Sequence, residues 1–339
     1  QLVEEGGIMF LDKDRRGERM NVENVLFVGA MSHPGGGRND IPNRLKRHFF
    51  AFNMPPPSDA SVDNIYGSML RGRYEEQPSY FELVNALTGA TIDMWNKSKQ
   101  KMLPTPAKFH YIFNLRDISR IFQGILFSPT DVILSDLNLV ELWEHECERV
   151  LSDKLVNLKD KAWYQSERDR VLKEYFPEEI VEQMNARTEP CYFVDYLRND
   201  VIDEETDAIA ELAPKIYERC PDNAAMKQRV INFLADFNAV PGAKVMNLVL
   251  FKDALEHMMR ISRIIGMPRG NALLVGVGGS GRQSLTRLAA FIGRHVTFQI
   301  ALTRTYKIPD FLEDIRKMYT LVGKEGKNLT WVFTDFEII

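Results

Sequence analysis

Gly276-Val277-Gly278-Gly279-Ser280-Gly281-Arg282-Gln283-Ser284 is the stretch that decides how this 339-residue chain is read. It follows the apolar segment Asn271–Val275 and opens an amphipathic helix with Leu285, Leu288, Ala289 and Ile292 on one face. Strand, glycine-rich turn and helix together make the setting of a phosphate-binding P-loop. Backbone N–H groups of such a turn converge with the helix N-terminus on one point, and glycines let a phosphate approach closely. Further on, Leu329-Thr330-Trp331-Val332-Phe333-Thr334-Asp335 reads as a buried strand ending in a carboxylate, as a Walker B strand presents its Mg²⁺-organising acid. A glycine turn that merely packs tightly explains the first run but not the second in its right order.

Two letters depart from GxxxxGK[ST], which wants Lys at 282 and Ser or Thr at 283. The chain has Arg282 and Gln283, with Ser284 one place late. Arginine keeps the charge, but its planar fork does not replace a compact ammonium. Nucleotide binding is therefore expected, and efficient hydrolysis is not.

Composition narrows the classes. The length fits two to three domains. Hydrophobic residues make up 45% and charged residues 27%, ordinary for a globular protein. A net charge of −4 argues against a general nucleic-acid binder. Cys147, Cys191 and Cys220 are an odd, widely spaced set without CxxC, so neither a disulfide framework nor a zinc site is expected, and a reducing compartment is. No apolar run approaches the ~20 residues of a membrane span, and no signal peptide is visible. The chain begins without Met and stops just beyond an apparent core strand, so a piece of a longer protein is expected.

Working outward from the loop, Asn24–Met31 forms a β-like run before the turn-rich Ser32–Asp40. A basic stretch, Pro42–Phe50, and the triple proline Pro55–Pro57 follow; from Ser58 the pattern turns helical. Helices are expected over Tyr80–Gln100, Pro106–Leu126 and Leu137–Leu155, the last with Val140, Trp143, Cys147, Val150 and Leu151 at helical spacing. Residues 156–240 are mixed and charged, and the acidic run Asp203–Asp207 reads as a solvated surface. Phe251, Ala254, Leu255, Met258 and Ile261 mark a further helix leading into the P-loop strand, and Val296–Leu302 a further strand. Alternation of strands and helices implies an α/β fold with a parallel sheet.

Three long segments carry a family resemblance: AMSHPGGGRNDIPNRLKRHF (30–49), MLPTPAKFHYIFNLRDISRIFQGIL (102–126) and the stretch from MNLVLFKDALEHMMRISRII through PRGNALLVGVGGSGRQSLTRLAAF (246–291). They resemble the dynein heavy chains, in the order found from the third AAA+ module into the fourth. The GGGRNDIPNRLKR wording is most similar to axonemal heavy chains, and among these to the outer-arm γ type. The resemblance covers nearly the whole chain, more loosely at 156–235. It implies an α/β fold of AAA+ P-loop modules with an α-helical lid. The end of a third-module core would fill residues 1–56, its helical lid 57–150, a helical linker 151–240, and the first half of a fourth-module core 241–339.

The resemblance also assigns roles. Ser32 matches a sensor 1 place at the end of a core strand, where dyneins often carry Asn; a plain turn residue is the other reading. Arg44 and Arg47 match the region of an arginine finger directed at a neighbouring module's nucleotide, with Arg47 favoured; a solvated basic face is the alternative, and a nucleic-acid patch using Phe49 and Phe50 conflicts with the acidic whole. Arg116 matches sensor 2, although Asp117 and Arg120 at i,i+3 offer a simple local pair. His33, His48, His110 and His145 lack metal-ligand spacing and read as structural or exposed. Gly276, Gly278, Gly279, Ser280, Gly281, Arg282, Gln283 and Ser284 would cradle ATP or ADP, and Ser284 with Asp335 would hold Mg²⁺. Where a Walker B pair places its catalytic Glu stands Phe336, and the acid appears at Glu337; one residue along a strand turns a side chain to the opposite face.

By resemblance, then, the chain is part of an ATPase ring that moves along microtubules in cytoplasm and ciliary axoneme, beside neighbouring AAA+ modules and dynein intermediate and light chains. No membrane or nucleic-acid partner is expected. A non-hydrolysing nucleotide clamp within the ring is the rival reading. A P-loop ATPase acting on nucleic acid would need a basic groove.

Overall fold

The computed structural model describes residues 1–31, 40–202, 209–242, 245–303 and 305–334. It divides into two compact units, Gln1–Pro57 and Ser58–Ile339.

In the first unit, α1 (Leu2–Glu5) ends at Gly6, whose left-handed φ of 66° turns the chain into β1 (Gly7–Met9). Strand β1 pairs antiparallel with β2 (Arg19–Asn21), Ile8 opposite Met20. A short helix, α2 (Asn43–Lys46), follows. The run from Asn24 to Met31 is not a strand here. Leu26 and Val28 are each 95% exposed, as expected of a strand sequence whose backbone has no ladder to join.

The second unit begins as a helical body. Ser58 accepts a hydrogen bond from the Ser61 amide and starts α3 (Asp59–Val62), which runs through a wide turn, Asp63–Gly67, into α4 (Ser68–Arg73). Helix α5 (Phe81–Lys101) buries Val84, Leu87, Thr88, Thr91, Met94 and Trp95, spaced three and four apart on one face. Helix α6 (Leu115–Phe127) starts later than the sequence pattern suggests. Pro106–Lys108 makes a single tight turn, and Asn114 with Asp117 forms a capping box that sets the true start. Helix α7 (Asp136–Cys147) continues through a wide turn, Glu148–Ser152, in which the Asp153 amide reaches the Glu148 carbonyl at 3.0 Å. Helices α8 (Leu158–Tyr175) and α9 (Glu178–Asn185) complete this body. Its core is apolar and continuous from Val62 to Phe193, with the Trp143 indole N–H donating to Thr91 Oγ1 at 2.8 Å.

A set of short antiparallel pairs follows: β3 (Phe193–Val194) with β6 (Glu218–Arg219), and β4 (Val201–Ile202) with β5 (Ile209–Glu211). Helix α10 (Asn223–Ala239), capped by Asp222, then leads to α11 (Lys252–Gly266), α12 (Arg282–Ile292), β7 (Val296–Phe298), α13 (Ile308–Tyr319) and β8 (Leu329–Trp331). Strands β7 and β8 are parallel, Val296 opposite Leu329 and Phe298 opposite Trp331. A second apolar core joins Leu255, Met258, Met259 and Ile261 of α11 to Leu285, Leu288, Ala289 and Ile292 of α12. The segment Asn271–Val275, expected as a strand, joins no sheet among the described residues, with Leu273 80% and Val275 85% exposed. Among the described residues no helix is long and apolar enough to cross a membrane.

Candidate functional site

The glycine run takes the conformation its residues allow. The Ser280 amide donates to the Val277 carbonyl at 3.3 Å, closing a turn. Gly279 and Gly281 have φ of 78° and 79°, a region costly for any side chain bearing Cβ. Gly281 is the N-cap of α12, and the Leu285 amide donates to its carbonyl at 2.8 Å, so the helix starts directly from the turn. A Cβ on Gly278 or Gly279 would meet nothing within 4 Å. Backbone amides at this helix start are open to an anion and carry the partial positive charge of the helix N-terminus.

Three side chains finish the loop. Arg282 opens α12, and its Nη2 donates to the Val277 carbonyl at 3.3 Å, folding the guanidinium back across the turn. Gln283 is exposed, whereas Ser284 is half-buried. Ser284 and Arg287 line a cavity of about 400 Å³ with Phe237, Val245, Met246, Asn247 and Leu248. The wall formed by 245–248 is held by Asn238, whose side chain accepts from the Met246 amide at 2.8 Å and donates to its carbonyl at 3.0 Å. A side chain here substitutes for a neighbouring strand. Nothing in the local pattern around Asn238 announces this, because the amide reaches eight positions along the chain.

The far end of α12 is also tied down. Lys215 Nζ donates to the Ile292 carbonyl at 2.5 Å, a cation at a helix C-terminus. Burial, opposed by Asp195, lowers the Lys215 pKa. Arg294 has φ of 60° and reaches the Ala213 carbonyl and the Asp200 carboxylate. His295, the residue before β7, reaches Thr330 Oγ1 of β8 at 3.0 Å, its pKa lowered by burial and by Lys215.

The remaining sequence-derived candidates do not all gather at this loop. Ser32, His33, Asp335, Phe336 and Glu337 lie outside the described residues, as does the acidic run at 203–207. In the first unit Arg47 donates to Glu4 Oε1 at 2.6 Å and to His48 Nε2, while Arg44 is exposed and, among the described residues, outside any ion pair. Arg116 is an exposed residue of the first turn of α6. The local Asp117–Arg120 pair does not form. Asp117 instead caps the Asn114 amide at 2.9 Å and pairs with Lys154 at 3.1 Å. The capping role outweighs an exposed i,i+3 pair because it satisfies a helix-end donor while the Lys154 contact is partly buried. His145 is buried against Tyr192, Phe193 and Tyr217, with its pKa held well below the usual value by burial and by Arg149 and Arg263. Cys147, Cys191 and Cys220 are free thiols.

Comparison with known proteins agrees with this geometry. Residues 246–339 match the family model of the P-loop containing dynein motor region D4, residues 1–57 that of a P-loop containing dynein motor region, and residues 87–186 that of the AAA+ lid domain. The chain is 45% identical to dynein axonemal heavy chain 5 of Rattus norvegicus, 42% to dynein axonemal heavy chain 8 of Homo sapiens, and 39% to the dynein gamma chain of the flagellar outer arm of Chlamydomonas reinhardtii. All of this chain is covered in each case, and 10%, 8% and 8% of the respective relatives. The chain thus spans about a tenth or less of the length of these relatives. With AAA+ motor and lid models placed along it and alignment to ciliary and flagellar relatives across its whole extent, the chain belongs to the axonemal dynein heavy chains.

Proposed function

We propose that the Gly276–Ser284 loop binds Mg²⁺ with ATP or ADP as the fourth AAA+ module of an axonemal dynein heavy chain, and that this site regulates an ATP-driven microtubule motor rather than powering it. The observation that carries the reading is the loop itself: two left-handed glycines lead directly into the N-terminus of α12, the arrangement in which helix-end amides gather on a phosphate. The adjoining cavity, walled by Phe237 and residues 245–248 together with Ser284 and Arg287, offers the base a slot of mixed polarity beside the phosphates. Arg282 supplies the charge at the lysine place. Its return to the Val277 carbonyl shows that the side chain reaches across the turn. Ser284 is the nearest hydroxyl for Mg²⁺, with Asp335 the acid that would share it; bound Mg²⁺ would neutralise phosphate charge.

Slow hydrolysis follows from three departures: Arg282 for Lys, Gln283 displacing the hydroxyl by one residue, and Phe336 in the place of the water-polarising Glu. Binding that leans on backbone amides tolerates such changes, whereas in-line attack by an oriented water does not. A tenfold loss corresponds to only about 1.4 kcal/mol of barrier, so small misfits suffice. The first unit would complete the core of the third module, with Arg44 or Arg47 lending charge to a neighbouring nucleotide. Both arginines are exposed, and the surface contact of Arg47 with Glu4 is too weak to bar it from that role, so Arg47 stays favoured. Microtubules, intermediate and light chains, and an axonemal setting belong to this proposal for the full-length chain.

Arg282→Ala should cost about 1.5–3 kcal/mol of nucleotide binding at this site, the value of a charge-assisted hydrogen bond, while Arg282→Lys keeps most of it. Titration of Mg²⁺-ADP into a full-length heavy chain with its other nucleotide sites disabled measures both. Unchanged affinity in the alanine variant would overturn the site assignment. Near wild-type ATP turnover in the same background, abolished by Glu337→Gln, would overturn the regulatory reading.

A further inference from the structure

We infer that Glu146 and Arg263 form a buried joint through which the helical body at α6 and α7 sets the conformation of the Gly276–Ser284 loop, and with it the loop's affinity for nucleotide. Both act as positioning residues. The affinity half of the inference rests on the nucleotide reading above; the conformational half does not.

Glu146, near the end of α7, is fully buried at 0% side-chain exposure, and the Arg263 side chain is 8% exposed. Arg263 Nε lies 3.1 Å from each oxygen of the Glu146 carboxylate, and Arg263 Nη2 donates to Oε2 as well. Tyr217 donates its hydroxyl to Glu146 Oε1 at 2.7 Å. The socket is closed from the other side by Gly124 of α6, where any Cβ would collide with the Glu146 carboxylate. One carboxylate is thus gripped by α6, by the segment entering β6, and by α11.

The grip continues to the loop. Arg263 occupies the last turn of α11. The next carbonyl, Ile264, is packed so closely by Gly270 that a Cβ there would overlap it. Between them the Met267 amide donates to Ile264 and the Gly270 amide to Met267, folding the chain back before it runs out to Gly276. The other side of the loop, α12, shares its apolar core with α11. The C-terminal side of the loop is therefore referenced to α11 through the shared core, its N-terminal side through the Gly270 turn and the half-buried Leu274, and α11 is referenced to Glu146. Nearby, Arg149 and Arg260 share Asp153, each at 3.2 Å, and Arg149 reaches Met259 Sδ, so the same two elements meet along a second line.

A buried ion pair is a weak source of net stability compared with well-packed apolar groups; fixing the register of its partners is the role inferred for this one. That role suits a joint better than a fastener. Replacing the pair by apolar residues of similar volume should keep the fold while freeing the register between α7 and α11.

The test uses the full-length heavy chain with Glu146→Leu and Arg263→Met combined, with Gly124→Ala as a second variant that crowds the carboxylate without removing it. Hydrogen exchange of the bonded amides of this stretch, Met267, Gly270, Ser280 and Leu285, should accelerate about tenfold or more in both variants, while exchange within α5 stays near the parent. Mg²⁺-ADP affinity at the loop, taken as the part abolished by Arg282→Ala, should fall about tenfold. Arg263→Lys, which keeps the charge but loses the two-pronged contact, should give an intermediate loss. Unchanged exchange at 267–285 in the folded double variant overturns the joint. Accelerated exchange with unchanged affinity overturns the coupling to nucleotide. A parent with no Arg282-dependent binding at all sinks the nucleotide reading, and exchange still decides the joint.

Discussion

The helical body from α3 to α9 and the loop-bearing region from α11 to β8 come from the same unit and are built by opposite rules. In the body, large side chains vanish: Trp143, Tyr111, Phe122 and Ile118 are among the most completely buried residues of the chain. In the loop-bearing region, comparably apolar residues face outward, with Leu273, Val275 and Val277 each about four-fifths exposed or more. Helices satisfy their backbone internally and then need only one apolar face against another. A central strand of a parallel sheet needs partners on both edges and cover on both faces before its apolar side chains are worth anything. The first kind of region is completed by its own sequence. The second exists only as far as its strands find each other, which here means β7 against β8.

The most severe test of that contrast is Trp143→Ala. It removes a buried ring packed at a tilt against Phe176 and takes away the indole N–H bonded to Thr91 Oγ1, and it should cost about 3–5 kcal/mol in equilibrium unfolding monitored by circular dichroism. A loss under about 1 kcal/mol would mean the body is not the tightly packed unit it is here taken to be.

A smaller effect sharpens the local side of the comparison. Asn114→Ala deletes half of the capping box of α6 and should cost about 1 kcal/mol, with hydrogen exchange of the Arg116 and Asp117 amides accelerated before any other part of α6. Uniform acceleration along the helix would show that α6 is held by its neighbours alone. Least of all, Val275→Ala should change stability by no more than about 0.5 kcal/mol, since the side chain is 85% exposed. A cost approaching that of Trp143→Ala would break the comparison by showing that this segment is packed in solution.

These expectations follow how much could be read in advance. Helix α5 at Phe81–Lys101 and the α7 stretch from Asp136 to Ser152 lie within a few residues of the periodic patterns at Tyr80–Gln100 and Leu137–Leu155. A 3.6-residue period records which face meets a core, and that record is local. Apolar spacing alone continues back to Pro106 and so sets the start of α6 too early; the Asn114–Asp117 box, four letters long, marks it. The runs at 24–31 and 271–275 carry strand composition, but a strand is defined by its neighbours, and composition does not name them. The β7–β8 pair formed where two such runs met in parallel register.

At the candidate site the division is similar. Gly279 and Gly281 were legible because only glycine suits a turn that approaches a phosphate, and both adopt the left-handed φ such a turn needs. The order of apolar run, glycine turn and amphipathic helix belongs to the chain alone, as does the charge kept at Arg282. Only the tertiary structure decided that Asp117 answers to Lys154 rather than Arg120, that Asn238 holds the wall at Met246, and that Glu146 meets Arg263 in a socket left by Gly124. The physical reason is range. Helix caps, turns and periodic faces are settled by residues three or four apart, whereas the partner of a buried charge is whichever opposite group the packing brings within hydrogen-bond reach, and 117 positions separate Glu146 from Arg263.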